Sequence, residues 1–505
     1  MAAVPTLAAP PSPAASGGTS RLRHVFSFPV LLGALLVAAA FSQARNTLLD
    51  PDTWWHMAVG QRILATHALP WSDPYSATVA GAPWIAYEWL GEAAMGAAAF
   101  FAGLRSASFL LIFLSGLLML LLYYYASLKC RNSKAAFVAC AVLLPVLAAF
   151  FTLRPQLFGA IFLVLTLIAL EHFRRGRERA LWFLPPLFLV WVNTHGSFVF
   201  GLLALGATWL CGQLEFSAGG WFAERWSRRR SVQLLLAFLA STLVLPLTPY
   251  GTRLAAYPLA MAFTQPLNTS NIQEWLPLET RGFFGGYIAG LLLLFFLAAL
   301  LQRPRFRLSD LLLASFAAMA ACLHVRFVLL LGIFLAPLIA GIFADWLPSY
   351  QPEKDHPFLN AALIALAAIG MSSFFPTRGD LGRQVDKAYP REAVQFLSAH
   401  SVQGTLLNDY GWGGYLIWSG RPRNEIFIDG RADVYEYAGV LADYMSIVHL
   451  APNAMQLLKK YNVQACLIRR DVALATVLSN APDWQRVYAD QLAAIYVKKL
   501  DSRAP

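Results

Sequence analysis

Long apolar runs separated by short basic clusters restrict what this chain can fold into more than any other feature. Eleven runs rich in Leu, Ala and Phe fall near 25 to 43, 106 to 127, 134 to 152, 155 to 172, 180 to 194, 198 to 215, 231 to 248, 283 to 301, 309 to 324, 326 to 346 and 357 to 374. Of 505 residues, 58% are hydrophobic and 13% charged, about half the charged share of a soluble protein, so one globular core cannot hide the apolar surface. Lipid must serve as a second solvent. In lipid each segment satisfies its own backbone, which favours helices over barrel strands for runs of this composition. The expected fold class is an α-helical polytopic membrane bundle of about eleven transmembrane helices with a small C-terminal α/β soluble domain.

The formal charge of +11 does not imply nucleic-acid binding, because the cations sit between spans as membrane topology requires. With the N-terminus in the cytoplasm, Lys129/Arg131/Lys134, Arg174/Arg175/Arg177/Arg179, Arg225/Arg228/Arg229/Arg230 and Arg303/Arg305/Arg307 all fall on the cytoplasmic side. This holds provided that residues 87 to 104 lie on the surface or re-enter rather than cross. The expected organisation is a disordered tail at 1 to 24, a transmembrane domain at 25 to 376 and an extracytoplasmic α/β domain at 388 to 505, in a cytoplasmic (inner) membrane. Outer loops then run from 45 to 105 and from 249 to 282. Residues 53 to 66 read as a helix along the outer leaflet, capped by Asp50 or Asp52, with Trp54 and Trp55 at the headgroup level. In the C-terminal domain the pattern predicts helices at 390 to 400, 434 to 450 and 453 to 461. Strands are expected at 404 to 407, 425 to 428 and 464 to 468, with a final pair across 485 to 498. Five cysteines show neither paired nor metal-type spacing.

Polar groups at the outer level define the candidate chemistry. DPDTWWH places Asp50, Asp52 and His56 after the first span, with Pro51 fixing the turn between two carboxylates. Such a pair suits a divalent cation, or a general base with an orienting partner, and equally suits helix capping. Arg154 in TLRPQLF, Asn193 and His195 in WVNTHGSF, and His324 with Arg326 in CLHVRF all fall at outer span ends, where cations suit a phosphate. Each alone is better explained by snorkelling or capping, and it is their collective placement that favours a site. Glu274 and Glu279 in the second loop carry a weaker acidic signal, and DGRADVY in the C-terminal domain reads equally as a structural turn and as a face toward the site. Walker, GxGxxG, HExxH and GxSxG motifs are missing, which removes the usual signatures of ATP-driven transport, zinc proteolysis and serine hydrolysis.

Two stretches carry a resemblance to a known family. LLDPDTWWHMAVGQRIL is similar to the acidic first-loop motif of GT-C class membrane glycosyltransferases, including the Asp-Pro start of oligosaccharyltransferase catalytic subunits, and Asp50 matches their loop acid. NDYGWGGYLIW resembles the WWDYG segment with which those subunits recognise the acceptor, matched here by Asp409, Tyr410 and Gly411. Leu407 and Asn408 stand where the two tryptophans would, so the resemblance implies shared architecture rather than transfer to an Asn sequon. It implies an enzyme that moves a sugar from a polyprenyl-phosphate-linked donor to a glycan, lipid or protein acceptor at the outer face. Catalytic roles then fall to Asp50, Asp52 and His56, and substrate-binding roles to Arg154, Asn193, His195, His324, Arg326, Asp409 and Tyr410. A divalent cation, Mg²⁺ or Mn²⁺, at Asp50 and Asp52 stays open, since no second acidic motif of the kind metal-dependent members carry is evident in a later loop. The alternative is a non-catalytic membrane protein that binds or translocates a lipid-linked glycan.

Overall fold

The computed structural model describes residues 24–46, 50–400, 404–420 and 426–499. Most of the expected N-terminal tail therefore lies outside the described residues. The chain is mostly helical, with a small C-terminal sheet. All eleven apolar runs are helical, among them Phe28–Ala44, Leu104–Cys130, Ser133–Ala148, Pro155–Arg174, Phe283–Gln302 and Val328–Ala344. By length and composition four helices can cross a bilayer, or five if the bent pair Pro357–Ser373 and Arg378–Ala388 is one span. The other apolar helices, such as Phe198–Cys211 and Leu308–Leu323, are shorter, at 10 to 17 residues.

The bundle has two chemically distinct ends. Helix Pro155–Arg174 begins after Arg154 and finishes at Arg174, about 30 Å away at 1.5 Å per residue. At the Arg174 end, Arg307 pairs with Glu171 at 2.8 Å, Lys129 pairs with Asp310, and Arg174 donates to Ser309 Oγ at 2.9 Å. The basic clusters thus gather opposite the Asp50 level.

Residues 87 to 103 hold no helix of 18 residues or more. They supply helix Trp89–Ala102, which crosses helix Pro51–Thr66 at a glycine pair: a Cβ on Gly60 would lie 1.8 Å from the Glu92 carbonyl oxygen, and one on Gly96 2.4 Å from the Gly60 carbonyl carbon. Helix Pro51–Thr66 has Asp50 as its N-cap and Pro51 at its first position, an arrangement that needs no amide from the proline. Its tryptophans are covered by protein rather than left exposed. Trp54 and Trp55 are buried, and the Trp54 ring meets Tyr389, Tyr415 and Trp418 with centroids 5.0 to 5.2 Å apart. Aromatic partners from beyond residue 388 bury the rings more completely than an interface would, so the first-loop helix is clamped between its neighbour and the C-terminal segment.

That segment folds around a four-stranded sheet. Thr405–Asn408 pairs parallel with Val463–Arg469, which pairs antiparallel with Ala493–Lys498, which pairs antiparallel with Trp484–Ala489. Arg391–Ala399 and Ala454–Lys460 occupy expected helical stretches. The stretch expected as a helix over 434 to 450 divides into Ala432–Tyr437 and Val440–Val448, because Gly439 adopts a positive φ of 73° between them. The strand expected at 425 to 428 is reduced, among the described residues, to isolated bridges at Ile426. The Asn408 side-chain amide replaces the ladder there: Oδ1 accepts from the Phe427 amide at 2.8 Å while Nδ2 donates to the Ile428 carbonyl at 2.8 Å.

Candidate functional site

The Asp50-Pro51-Asp52 turn opens the first-loop helix and points its acids at one guanidinium. Asp50 Oδ1 accepts from the Asp52 amide at 2.9 Å, which is the capping role, and its Oδ2 lies 3.7 Å from Arg154 Nη1. Asp52 Oδ2 meets Arg154 Nη2 at 2.8 Å, and its Oδ1 accepts from Trp55 Nε1 at 3.0 Å. Glu274, from the second loop, takes the same guanidinium in a fork, at 3.0 and 3.3 Å. One cation therefore serves three carboxylates. Burial pushes Asp52 up to about 7 despite its ion pair, since Arg154 is shared and Asp50 and Glu274 repel a further negative charge. Burial would also raise Glu274, but its bidentate bond to Arg154 and the proximity of Arg326 outweigh it and hold the carboxyl at about 2.

A second cluster lies beside the first. His56 Nδ1 is 3.2 Å from Glu92 Oε1 and its Nε2 is 3.6 Å from Glu88 Oε2, while His195 Nε2 is 3.3 Å from Glu88 Oε1. His195 follows the helix Leu184–Thr194 in extended conformation, and the Ser197 amide donates to its Nδ1 at 3.1 Å. Its proton accordingly sits on Nε2, facing Glu88. Burial, then Arg326 and Arg154, lower His195 to about 3, so the ring is neutral at physiological pH. Burial raises Glu88 to about 8, which leaves it mostly protonated at neutral pH.

Arg326 is held differently from Arg154. Its guanidinium lies 4.0 Å from the centroid of the Trp275 ring, and among the described residues it has no carboxylate at ion-pair distance. His324 Nδ1, 2.5 Å from the Trp275 carbonyl oxygen, fixes that tryptophan from the other side of the chain turn. Arg326 thus offers a stacked and uncommitted fork.

Asp50, Asp52, His56, Glu88, Arg154, His195, Glu274, His324, Arg326 and Tyr410 all line one cavity of about 1330 Å³. Two residues expected there are elsewhere. Asn193 is buried, accepting from Trp89 Nε1 at 2.7 Å and donating to the Leu189 carbonyl, so it positions the segment that carries Glu88. Asp409 caps the turn Tyr410–Trp412 through the Gly411 amide at 3.0 Å and pairs with Arg469 at 3.2 Å. That cap aims the next residue, Tyr410, into the cavity.

Glu88 was the acid least visible as a site residue; its signal was a carboxylate kept, with Glu92 one turn on, in a stretch otherwise free of charge. The DGRAD motif is a buried tie. Arg431, 1% exposed, bonds Asp429 and Asp73, with its guanidinium 4.8 Å from the Trp84 centroid and 5.0 Å from that of Tyr75. Gly430 then fits against the acids: a Cβ there would lie 2.0 Å from Asp52 Oδ1.

The donor set does not fit a divalent ion as it stands, because both first-loop carboxylates are turned onto Arg154. Among the described residues no group of three or more His, Cys, Asp or Glu is placed to hold a metal.

No family model and no curated protein matches the chain. Among solved structures it resembles the Archaeoglobus fulgidus oligosaccharyltransferase tethered with an acceptor peptide containing the NVT sequon, at TM-score 0.54 and 13% identity, over 86% of this chain and 68% of that chain. It also resembles the archaeal oligosaccharyltransferase AglB from Archaeoglobus fulgidus in complex with an inhibitory peptide and a dolichol-phosphate, at TM-score 0.51 and 12% identity, over 86% and 69%. ArnT from Cupriavidus metallidurans, bound to undecaprenyl phosphate, aligns over 97% of this chain and 100% of that chain at 15% identity and TM-score 0.48. The fold is that of the GT-C class of membrane glycosyltransferases.

Proposed function

We propose that the protein transfers a sugar from a polyprenyl-phosphate-linked donor to an acceptor at the outer face of the cytoplasmic membrane. The observation that carries this reading is the union, in one cavity, of an uncommitted stacked Arg326, paired acids at Asp50 and Asp52, and an apolar flank that includes Phe200, Phe284, Leu330 and Ile333. Helix Phe283–Gln302 borders that flank with only Gly285 and Ile288 buried among its residues, so a polyprenyl chain has an apolar route beside it. The acceptor oxygen or nitrogen attacks the anomeric carbon, the bond from that carbon to the phosphate oxygen breaks, and polyprenyl phosphate leaves. Asp52, or Asp50 through it, takes the acceptor's proton. Arg326 stabilises the phosphate charge as it forms. Arg154, committed to carboxylates, orients the acids instead. The shorter apolar helices other than Trp89–Ala102 cross as well, which with the basic end cytoplasmic puts the cavity outside. Archaeal AglB is in complex with an inhibitory peptide and a dolichol-phosphate in its solved structure, and ligands of the second kind suit this cavity.

The test supplies purified protein in detergent with a radiolabelled polyprenyl-phosphate sugar and membrane extract as acceptor. Asp50→Asn, Asp52→Asn and Arg326→Ala should each lose product while eluting as the wild type does on size exclusion. Wild-type product formation by both aspartate variants would defeat the reading and favour a protein that binds or moves the lipid-linked glycan.

A further inference from the structure

We infer that Arg154 is a built-in cation standing where a divalent ion would bridge the acids, so that the cavity works without one. This rests on reading the cavity as the reaction site, but its test reads metal binding rather than turnover, so either claim can fail alone.

The geometry is that of a cation site already filled. Three carboxylates from two loops far apart in sequence, Asp50, Asp52 and Glu274, gather round one guanidinium, with contacts of 2.8, 3.0, 3.3 and 3.7 Å to its two terminal nitrogens. The arginine is delivered there by its backbone. It is the N-cap of the helix that Pro155 starts, in extended conformation, so its side chain leaves the helix end toward the loops. A hard divalent cation needs several oxygen ligands at 2.0 to 2.6 Å in a near-octahedral or larger shell. Here Asp50 Oδ1, Asp52 Oδ1 and both Glu274 oxygens already accept N–H bonds, Asp52 Oδ2 is ion-paired to Arg154, and a fixed positive charge stands beside the place the ion would take. The guanidinium differs from a bound ion in three ways that bear on the chemistry: it cannot be chelated, it carries one charge rather than two, and it stays protonated at every accessible pH. With three carboxylates and a single charge, the cluster keeps an excess of negative character that a divalent ion would remove, and that excess leaves an acid able to accept a proton.

Removing the arginine should therefore create a metal site. Mn²⁺ is titrated into detergent-purified protein, and free aqueous Mn²⁺ is followed by electron paramagnetic resonance. The wild type should bind no stoichiometric Mn²⁺ at these residues. Arg154→Ala should bind one equivalent per chain, lose it again when Asp52→Asn is added, and show a thermal midpoint that rises with Mn²⁺ where that of the wild type stays put. The inference is overturned if the wild type binds an equivalent that Asp52→Asn or Glu274→Gln abolishes, or if folded Arg154→Ala binds none. Should Arg154→Ala not fold, the wild type against Asp52→Asn decides alone: equal Mn²⁺ uptake by the two supports the filled site, and lower uptake by Asp52→Asn overturns it.

Discussion

Asp52 is the residue on which the chemistry turns, and its environment sets a pH dependence. A general base acts when ionised, and burial beside Asp50 and Glu274 lifts this carboxyl to about 7. Transfer should therefore fall about tenfold per unit below pH 7 and level off above it, since the fraction of carboxylate follows its ionisation. A rate that is flat from pH 5 to 8 would remove Asp52 as the base. The same side chain is held by a neighbour that has none. A Cβ on Gly430 would lie 2.0 Å from Asp52 Oδ1 and 2.9 Å from Trp55 Nε1, so Gly430→Ala must push the carboxylate off its indole partner. An ångström of displacement costs a positioned group about 10²-fold, so the turnover rate should drop by that order with protein yield and melting midpoint held. An unchanged turnover rate would show that the orientation of Asp52 does not matter. Much of this site was legible in the sequence. Asp50, Arg154, His195 and Arg326 are polar residues at the ends of apolar runs, and the bundle brings all four to one level. Asn193 carried the same signal and Asp409 the resemblance to WWDYG, yet both bond inside the protein, because which way a side chain turns depends on packing partners that spacing does not encode.

The crossing of Pro51–Thr66 and Trp89–Ala102 is the element that fixes the acids, because it sets the height of Asp50 against Glu88. It depends on two glycines in backbone contact. Gly60→Ala or Gly96→Ala would force the helices apart, a backbone clash that no rotamer change relieves, at a cost of about 1–3 kcal/mol or more. The thermal midpoint should fall for both variants, and Gly341→Ala, where no heavy atom lies within 4 Å of the added carbon, should leave it in place. Equal midpoints for all three would mean that the crossing is not close. The helices themselves were readable from composition and cap residues, since long apolar runs have few other options in lipid. Two local departures share a cause. Asn408 supplies amide bonds that replaced a strand at 425 to 428, and aromatic rings from Tyr389, Tyr415 and Trp418 bury Trp54 inside the protein. Both depend on partners hundreds of residues away or on side-chain bonds, neither of which leaves a periodic trace.

At the scale of the whole molecule, the cavity exists because the C-terminal sheet unit is tied over the first loop, and Arg431 is the tie. It is 1% exposed, bonds Asp429 in its own unit and Asp73 in the loop, and stacks near Tyr75 and Trp84. Gly430 and Ala432 line the cavity on either side of it, so the residue that joins the two parts also sets the roof over Asp52. Removing one member of a buried charge cluster leaves the others unpaired and typically costs about 3–5 kcal/mol, whereas an exposed pair contributes little. Arg431→Ala should therefore lower the thermal midpoint steeply and open the loop over 67 to 88 to protease before the bundle is cut, with transfer lost because the roof has lifted. Arg383→Ala, which breaks the exposed pair with Asp380 at a side-chain exposure of 71% against 42%, should leave the midpoint, the cleavage pattern and the transfer rate unchanged. If Arg431→Ala melts early while the loop stays protected, the two parts are joined mainly by the aromatic packing around Trp54. The next variant to separate them would then be Trp54→Ala, whose ring meets Tyr389, Tyr415 and Trp418 across the same junction.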